Sequence, residues 1–309
     1  IRGGEQDVYG SAVNATIFTG SQVVESGGVA NGTVVSGGAL EVLSGGLAHP
    51  TVIYSGGVEV ISAGGTDLGA QISGGEQDVS GLASGATIFA GTQVVESGGL
   101  ASGTIVSGGE QDVLGTADGT TISGGSQVVE ASGTASGTMI LSAGLEIVSG
   151  TDAAARISGG TQLDYGLASG VIVFSGVQVV EAGGTASGTT VDSGGTDILA
   201  VGGTLLDVTL NSGATLEVFG TVSGVVVSNG ATFIVESGAV ASATTILSGG
   251  IESVTAGGSD EGAGISGGAQ LDFGVASGAT IFTGSQVVEA GGTASNTIVS
   301  GGTLEVLSG

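Results

Sequence analysis

The 309-residue chain has no cysteine, no tryptophan and no lysine, and only one proline, one histidine and one methionine. Without cysteine there is neither a disulfide framework nor a thiolate metal site. Two arginines, Arg2 and Arg156, stand against 28 acidic residues, a formal charge of −26, so there is no basic patch to meet nucleic acid or an anionic membrane. No run of eighteen apolar residues is present, which excludes a membrane helix and leaves no means of direct membrane insertion by this segment. Acidic disordered chains are poor in apolar residues, whereas this one is 40% hydrophobic and rich in valine and isoleucine. It can bury a core.

Glycine, with 67 residues, is abundant and periodic. Each copy of a G-x-Q-x-V phrase is preceded by a marker glycine, and eighteen markers run from Gly4 to Gly302 at intervals of 16 to 20 residues. Such a period over the whole length signals a solenoid. Within a copy, apolar residues alternate with small or polar ones for four or five positions before a Gly-Gly, Ser-Gly or Asn-Gly step, which is strand periodicity interrupted too often for helices. The pattern predicts an all-β fold, a single-stranded parallel β-helix or β-solenoid, right-handed, of about 18 coils. It forms one continuous domain over residues 1–309. Glutamine disappears between about 195 and 265 while the markers continue, so this region reads as variant coils within the same domain. The opening IRGGEQDV and the closing GGTLEVLSG both read as interrupted repeats, so the chain is expected to be a fragment of a longer protein.

The fourth residue after the marker is apolar, as at Val8, Val24, Val42, Ile61, Val79 and Val95, and is expected inside. Because side chains alternate across a strand, the second residue shares that side. It is glutamine in many copies, including Gln77, Gln93, Gln111 and Gln127, which read as a structural ladder of amides bonded from coil to coil. The residue before the serine of each SGG step is also expected to line the interior: Phe18, Val35, Tyr54, Ile72, Phe89, Val106, Ile122, Leu141, Ile157, Phe174, Leu247, Ile265, Phe282 and Val299. The threonine two residues earlier (Thr16, Thr33, Thr87, Thr104, Thr280, Thr297) is expected inside as well, and alanines such as Ala30, Ala83 and Ala101 mark a narrow corner.

The stretches GTQVVESGGLASGTIVSGG (91–109), GGSQVVEASGTASGTMILSAG (124–144) and GSQVVEAGGTASNTIVSGG (284–302) resemble the passenger repeats of AIDA-type self-associating autotransporter adhesins of Gram-negative bacteria. The resemblance covers essentially the whole chain. It implies a β-helical passenger at the cell surface, outer membrane or extracellular space, acting in adhesion, aggregation and biofilm formation. It also implies a translocator barrel, and for some members an O-heptosyltransferase acting on serine or threonine. The partners expected from it are other copies of the chain and a host or matrix glycan or protein.

β-Helices also host polysaccharide lyases and hydrolases, so enzyme chemistry has to be weighed on residues. A lyase needs a base and cations, and the chain offers only Arg2, Arg156 and His49, scattered along it. A hydrolase needs two carboxylates converging on a cleft. Most acids here recur with the repeat, as a solvated face does, and the expectation is no catalytic residue and no enzyme. Outward carboxylates available for self-association are Glu76, Asp78, Glu96, Asp112 and Glu130. Carboxylates stacked about 5 Å apart repel, so calcium is the one cofactor entertained, with Asp260 and Glu261, which break the repeat in GGSDEGAG (257–264), as its weak metal candidates. A purely structural or ice-binding solenoid is the remaining alternative; it would show a regular outward threonine grid.

Overall fold

The computed structural model describes residues 1–307 as strands, bends and turns with no helix. They divide into two compact units, 1–155 and 156–309, each with nine copies of the phrase and each a stack of parallel strands forming a β-solenoid.

The turn beginning at Gly91 shows how the sequence builds one coil. Its first strand is the end of Thr87–Val95, its second is Leu100–Ser102 and its third Ile105–Val106. Each pairs in parallel with its counterpart in the next turn: Gln93 with Gln111, Ala101 with Ala117, Val106 with Ile122. Gln93, Val95, Ala101, Thr104 and Val106 all point inward and are buried. Columns of valine, alanine and branched aliphatics therefore run through the coil, the arrangement in which β-branched side chains pack best.

The corner after the first strand, Glu96-Ser97-Gly98-Gly99, explains the glycine pair. Gly99 N–H donates to Glu96 O at 2.8 Å, closing a four-residue turn. Gly98, the third residue, has φ +86°, which L side chains rarely adopt, and a Cβ on Gly99 would lie 2.0 Å from the carbonyl oxygen of Val79 in the preceding turn. In the 16-residue turns, such as Gly75 to Gly91, two residues, Ser80 and Gly81, replace this corner. Much of the variation in repeat length sits here, outside the strands.

The inward second and fourth positions are as expected, but the third strand differs. Val35, Ile72, Val106, Ile122, Ile157 and Ile265 are buried, whereas Phe18, Tyr54, Phe89, Phe174, Leu247 and Phe282 are exposed and Leu141 is half-buried; Val299, exposed in the last turn, is in register with the buried Ile281 and so holds the inward slot. In the aromatic turns the inward slot belongs to the preceding aliphatic residue: Ile17 pairs with Val35, and Ile72 with both Ile53 and Ile88. Alternation then turns the aromatic out, and a bulge before the next strand absorbs the extra residue. The threonines split the same way. Thr33 and Thr104 are buried, but Thr16, Thr87 and Thr280 are only half-buried, and Ala86 and Ala279 take the inward place beside Thr87 and Thr280; Thr297, half-buried in the last turn, points inward and donates to Gln286 Oε1 at 2.9 Å.

The region 195–265 keeps the same coils. Leu216 and Phe233 occupy the glutamine column, and Leu205 and Val222 fill out the alanine corner, so in those turns apolar volume replaces the polar ladder.

Candidate functional site

The glutamine ladder is built from one-way hydrogen bonds. Gln93 Nε2 donates to Gln77 Oε1 (2.6 Å), Gln111 to Gln93 (2.7 Å) and Gln127 to Gln111 (2.7 Å). The spare acceptor lobes take threonine hydroxyls from the third strand: Thr104, Thr120 and Thr138 donate to Gln93, Gln111 and Gln127 at 3.0–3.2 Å. The amides of Gln93, Gln111 and Gln127 thus find their partners inside the coil, as buried polar groups do.

A one-way ladder needs an acceptor at its lower end, and a carboxyl supplies it. Gln77 Nε2 donates to Glu59 Oε2 at 2.7 Å, and Gln270 Nε2 donates to Glu252 Oε2 at 2.8 Å and Asp260 Oδ2 at 2.9 Å. Glu59 and Glu252 stand in the glutamine column, and Asp67 and Asp260 in the alanine corner of the same turns; all four are fully buried. Thr51 Oγ1 lies 3.0 Å from Glu59 Oε1 and 3.3 Å from Asp67 Oδ2, and Ala70 N–H donates to Asp67 Oδ1 at 3.1 Å. Among the described residues no cation acts on either pair. Burial, and then the charge of Asp67, push Glu59 well above the ordinary carboxylate range, and burial holds Asp67 at about 6. Of the two neighbouring carboxyls Glu59 therefore holds a proton the more tightly.

The second pair behaves alike: burial and then Asp260 raise Glu252, and burial raises Asp260 to about 6. Burial likewise lifts Asp272 to about 7. Asp197, again in the glutamine column, is raised to about 8 by burial and then by Asp164, and it has no side-chain hydrogen-bond partner. Glu146 and Asp152 are buried in the same two positions of a third turn. The sequence reading, which took acids for a solvated face, passed over this set. The signal was present: Glu59, Glu146, Asp197 and Glu252 each lie two residues after a marker glycine.

Outside, Glu76, Asp78 and Glu96 form one acidic group. Glu110, which the sequence reading did not single out, joins Asp112 and Glu130 in another. Partial burial, then Glu76 and Glu96, raises Asp78 to about 6, and partial burial, then Glu110 and Glu130, does the same for Asp112. The expected stacking of carboxylates on successive coils is not found, because Asp78 pairs with Val94 and Val94 with Asp112. In this column acidic rungs alternate with valine rungs, so Asp78 and Asp112 stand two coils apart. Asp260 and Glu261 do not converge either: alternation buries the first and exposes the second. Among the described residues no group of three or more histidines or acids is placed to hold a metal ion.

A depression of about 250 Å³ on the surface is floored by Gly56, Gly74 and Gly91 beside Thr92, and its one ionisable group is Glu76. His49 and Arg156 are exposed on separate strands. The outward row of the third strand mixes Thr16, Val34, Val52, Gln71, Thr87 and Ile105, so it is no threonine grid.

No protein-family model matches the chain, and no curated protein sequence matches it. Among solved structures it is similar to the TibC-catalysed hyper-glycosylated fragment 55–350 of TibA, with 31% identity, a TM-score of 0.59, and 98% of this chain and 97% of that one covered. With its repeats, its parallel coils and this likeness over almost its full length, the chain belongs to the AIDA-type family of autotransporter adhesin passengers.

Proposed function

We propose that the chain is a non-enzymatic adhesin segment, displayed at the cell surface, whose solenoid faces mediate self-association and through it aggregation and biofilm formation. The observation that carries this reading is the likeness to an adhesin passenger fragment over 98% of the chain. Its chemistry is consistent with it: the buried carboxyls are sealed from any substrate, and the outward ones lack a basic partner or a shared cleft. Contacts repeated turn after turn along a solenoid add by effective concentration, so binding grows with the number of turns engaged and no cofactor is required.

The glycosylated neighbour suggests one further partner, a glycosyltransferase, an O-heptosyltransferase among them, acting on hydroxyls. Ser26, Ser97 and Ser132 are exposed at the first corner, where a transferase can reach them. A host or matrix glycan or protein is a second class of partner for the same faces.

Display of the chain on bacteria that otherwise stay dispersed tests the reading. Cells should settle as clumps and gain surface-attached biomass. Dispersed cells with confirmed surface display would overturn it. Co-expression with a passenger heptosyltransferase should raise the intact mass in steps of one heptose, and an unchanged mass would remove the transferase from the list of partners.

A further inference from the structure

The three outward faces of residues 1–155 differ in charge. Every outward carboxylate there stands on the first strand, on its following corner, or, at Asp118, on the second strand. The third-strand face has none. Its first outward row is Thr16, Val34, Val52, Gln71, Thr87 and Ile105, continued by Thr121 and Met139, all in parallel register.

Its second row consists of the residue after each inward aliphatic: Phe18, Ser36, Tyr54, Ser73, Phe89 and then Ser107. The three aromatics are 44%, 48% and 53% exposed, although the interior has no slot for them. The charge on this face is Arg2, whose guanidinium sits 4.7 Å from the centroid of the Phe18 ring. Aromatic and serine alternate along the stack, so bulky side chains stand on every second coil, about 9–10 Å apart, with one-coil gaps between them.

We propose that this third-strand face, centred on Phe18, Tyr54 and Phe89, is where two copies of the chain meet. The inference rests on the self-association reading and names its surface. Charge selects the occupant. Two chains of −26 each repel wherever their acidic faces meet, and this face brings no carboxylate of residues 1–155 against another. Shape selects the arrangement. A two-fold axis lying between neighbouring coils sets each aromatic of one copy over a serine gap of the other, and both copies use the same patch, as an isologous contact requires. Exposed aromatics in such a row bury large areas on contact and are the residue type that most often dominates an interface. The acidic first-strand face, to which the sequence reading assigned association, is left turned to solvent.

Sedimentation velocity on the 309-residue chain, from about 1 to 100 µM, tests the assignment against a Tyr54→Asp, Phe89→Asp variant. The wild type should associate and the variant should weaken by at least about tenfold, the effect of losing one dominant interface residue. Both side chains are half exposed, so the variant should keep its far-ultraviolet spectrum. Because the chain lacks cysteine, Ser73→Cys and Ser126→Cys each supply a single thiol, one on the proposed face and one on the first-strand face. Under mild oxidation the first should give a cross-linked dimer and the second should not. A wild type that associates, with an unweakened variant or cross-links only through Cys at 126, would overturn the face while leaving self-association standing. A wild type that stays monomeric throughout overturns both.

Discussion

Gly98 and Gly99 are neighbours held by different physics, and substitution separates them. Alanine at 98 meets no atom within 4 Å but must adopt φ +86°, whereas alanine at 99 drives its Cβ into the Val79 carbonyl. Gly98→Ala should cost about 1–2 kcal/mol, the left-handed penalty, and Gly99→Ala clearly more, because backbone has to move. Equal losses in urea melts would contradict this division. The converse substitution is available at Ala243, which holds φ +53° at a corner where Gly224 has φ +74° one turn earlier. Ala243→Gly should stabilise the chain by up to about 1 kcal/mol, since relief of strain outweighs the added freedom of the unfolded chain. Glycine spacing marked these corners in the sequence. It did not say which glycine met a carbonyl, because that contact is made across turns.

At the scale of one coil the glutamine and threonine columns form a single element. Thr33 Oγ1 donates to Gln22 Oε1 at 2.9 Å, and Gln22 Nε2 donates to the exposed Gln6 at 2.8 Å, while Leu40 covers the other side. Gln22→Leu therefore orphans one buried hydroxyl, with an expected loss of about 1–3 kcal/mol, and adding Thr33→Val should recover most of it. A double variant no more stable than the single one would show that the hydroxyl was not the source of the loss. The protein already contains the apolar solution: the turn with Leu216 has Val225 where other turns have the inward threonine. The glutamine column was legible because its spacing from the marker is constant. Its threonine partner was not, because the third strand enters in two registers and the residue name alone does not choose between Thr33, which is inside, and Thr16, which is half out.

For the molecule as a whole, the buried acids set the response to pH. A carboxyl raised on folding binds more protons in the folded state. Its contribution is therefore intact below the unfolded value, about 4, and is lost as pH rises through the folded value. Asp67, Asp260, Asp78 and Asp112 at about 6, Asp272 at about 7 and Asp197 at about 8 all act in that sense, as do the raised Glu59 and Glu252. The melting temperature should be highest near pH 4–5 and fall progressively to pH 9, the reverse of a protein held by carboxylate salt bridges. Asp197→Asn should flatten the upper end of that fall and change little at pH 5. A melting temperature that rises from pH 5 to pH 9 would contradict the assignment of protonated interior carboxyls.

The sequence by itself determined the solenoid, its glycine corners and the inward glutamine and valine columns, because two-residue alternation and corner conformation are local properties repeated eighteen times. Only the tertiary structure decided which of two adjacent apolar residues in the third strand turns inward, and that Glu59, Asp67, Glu252 and Asp260 lie inside. An isolated strand leaves an aromatic or an acid on whichever side suits it. A stacked one does not, because its parallel register with the turns above and below has already assigned each position a side, and shifting one residue would turn every neighbour over.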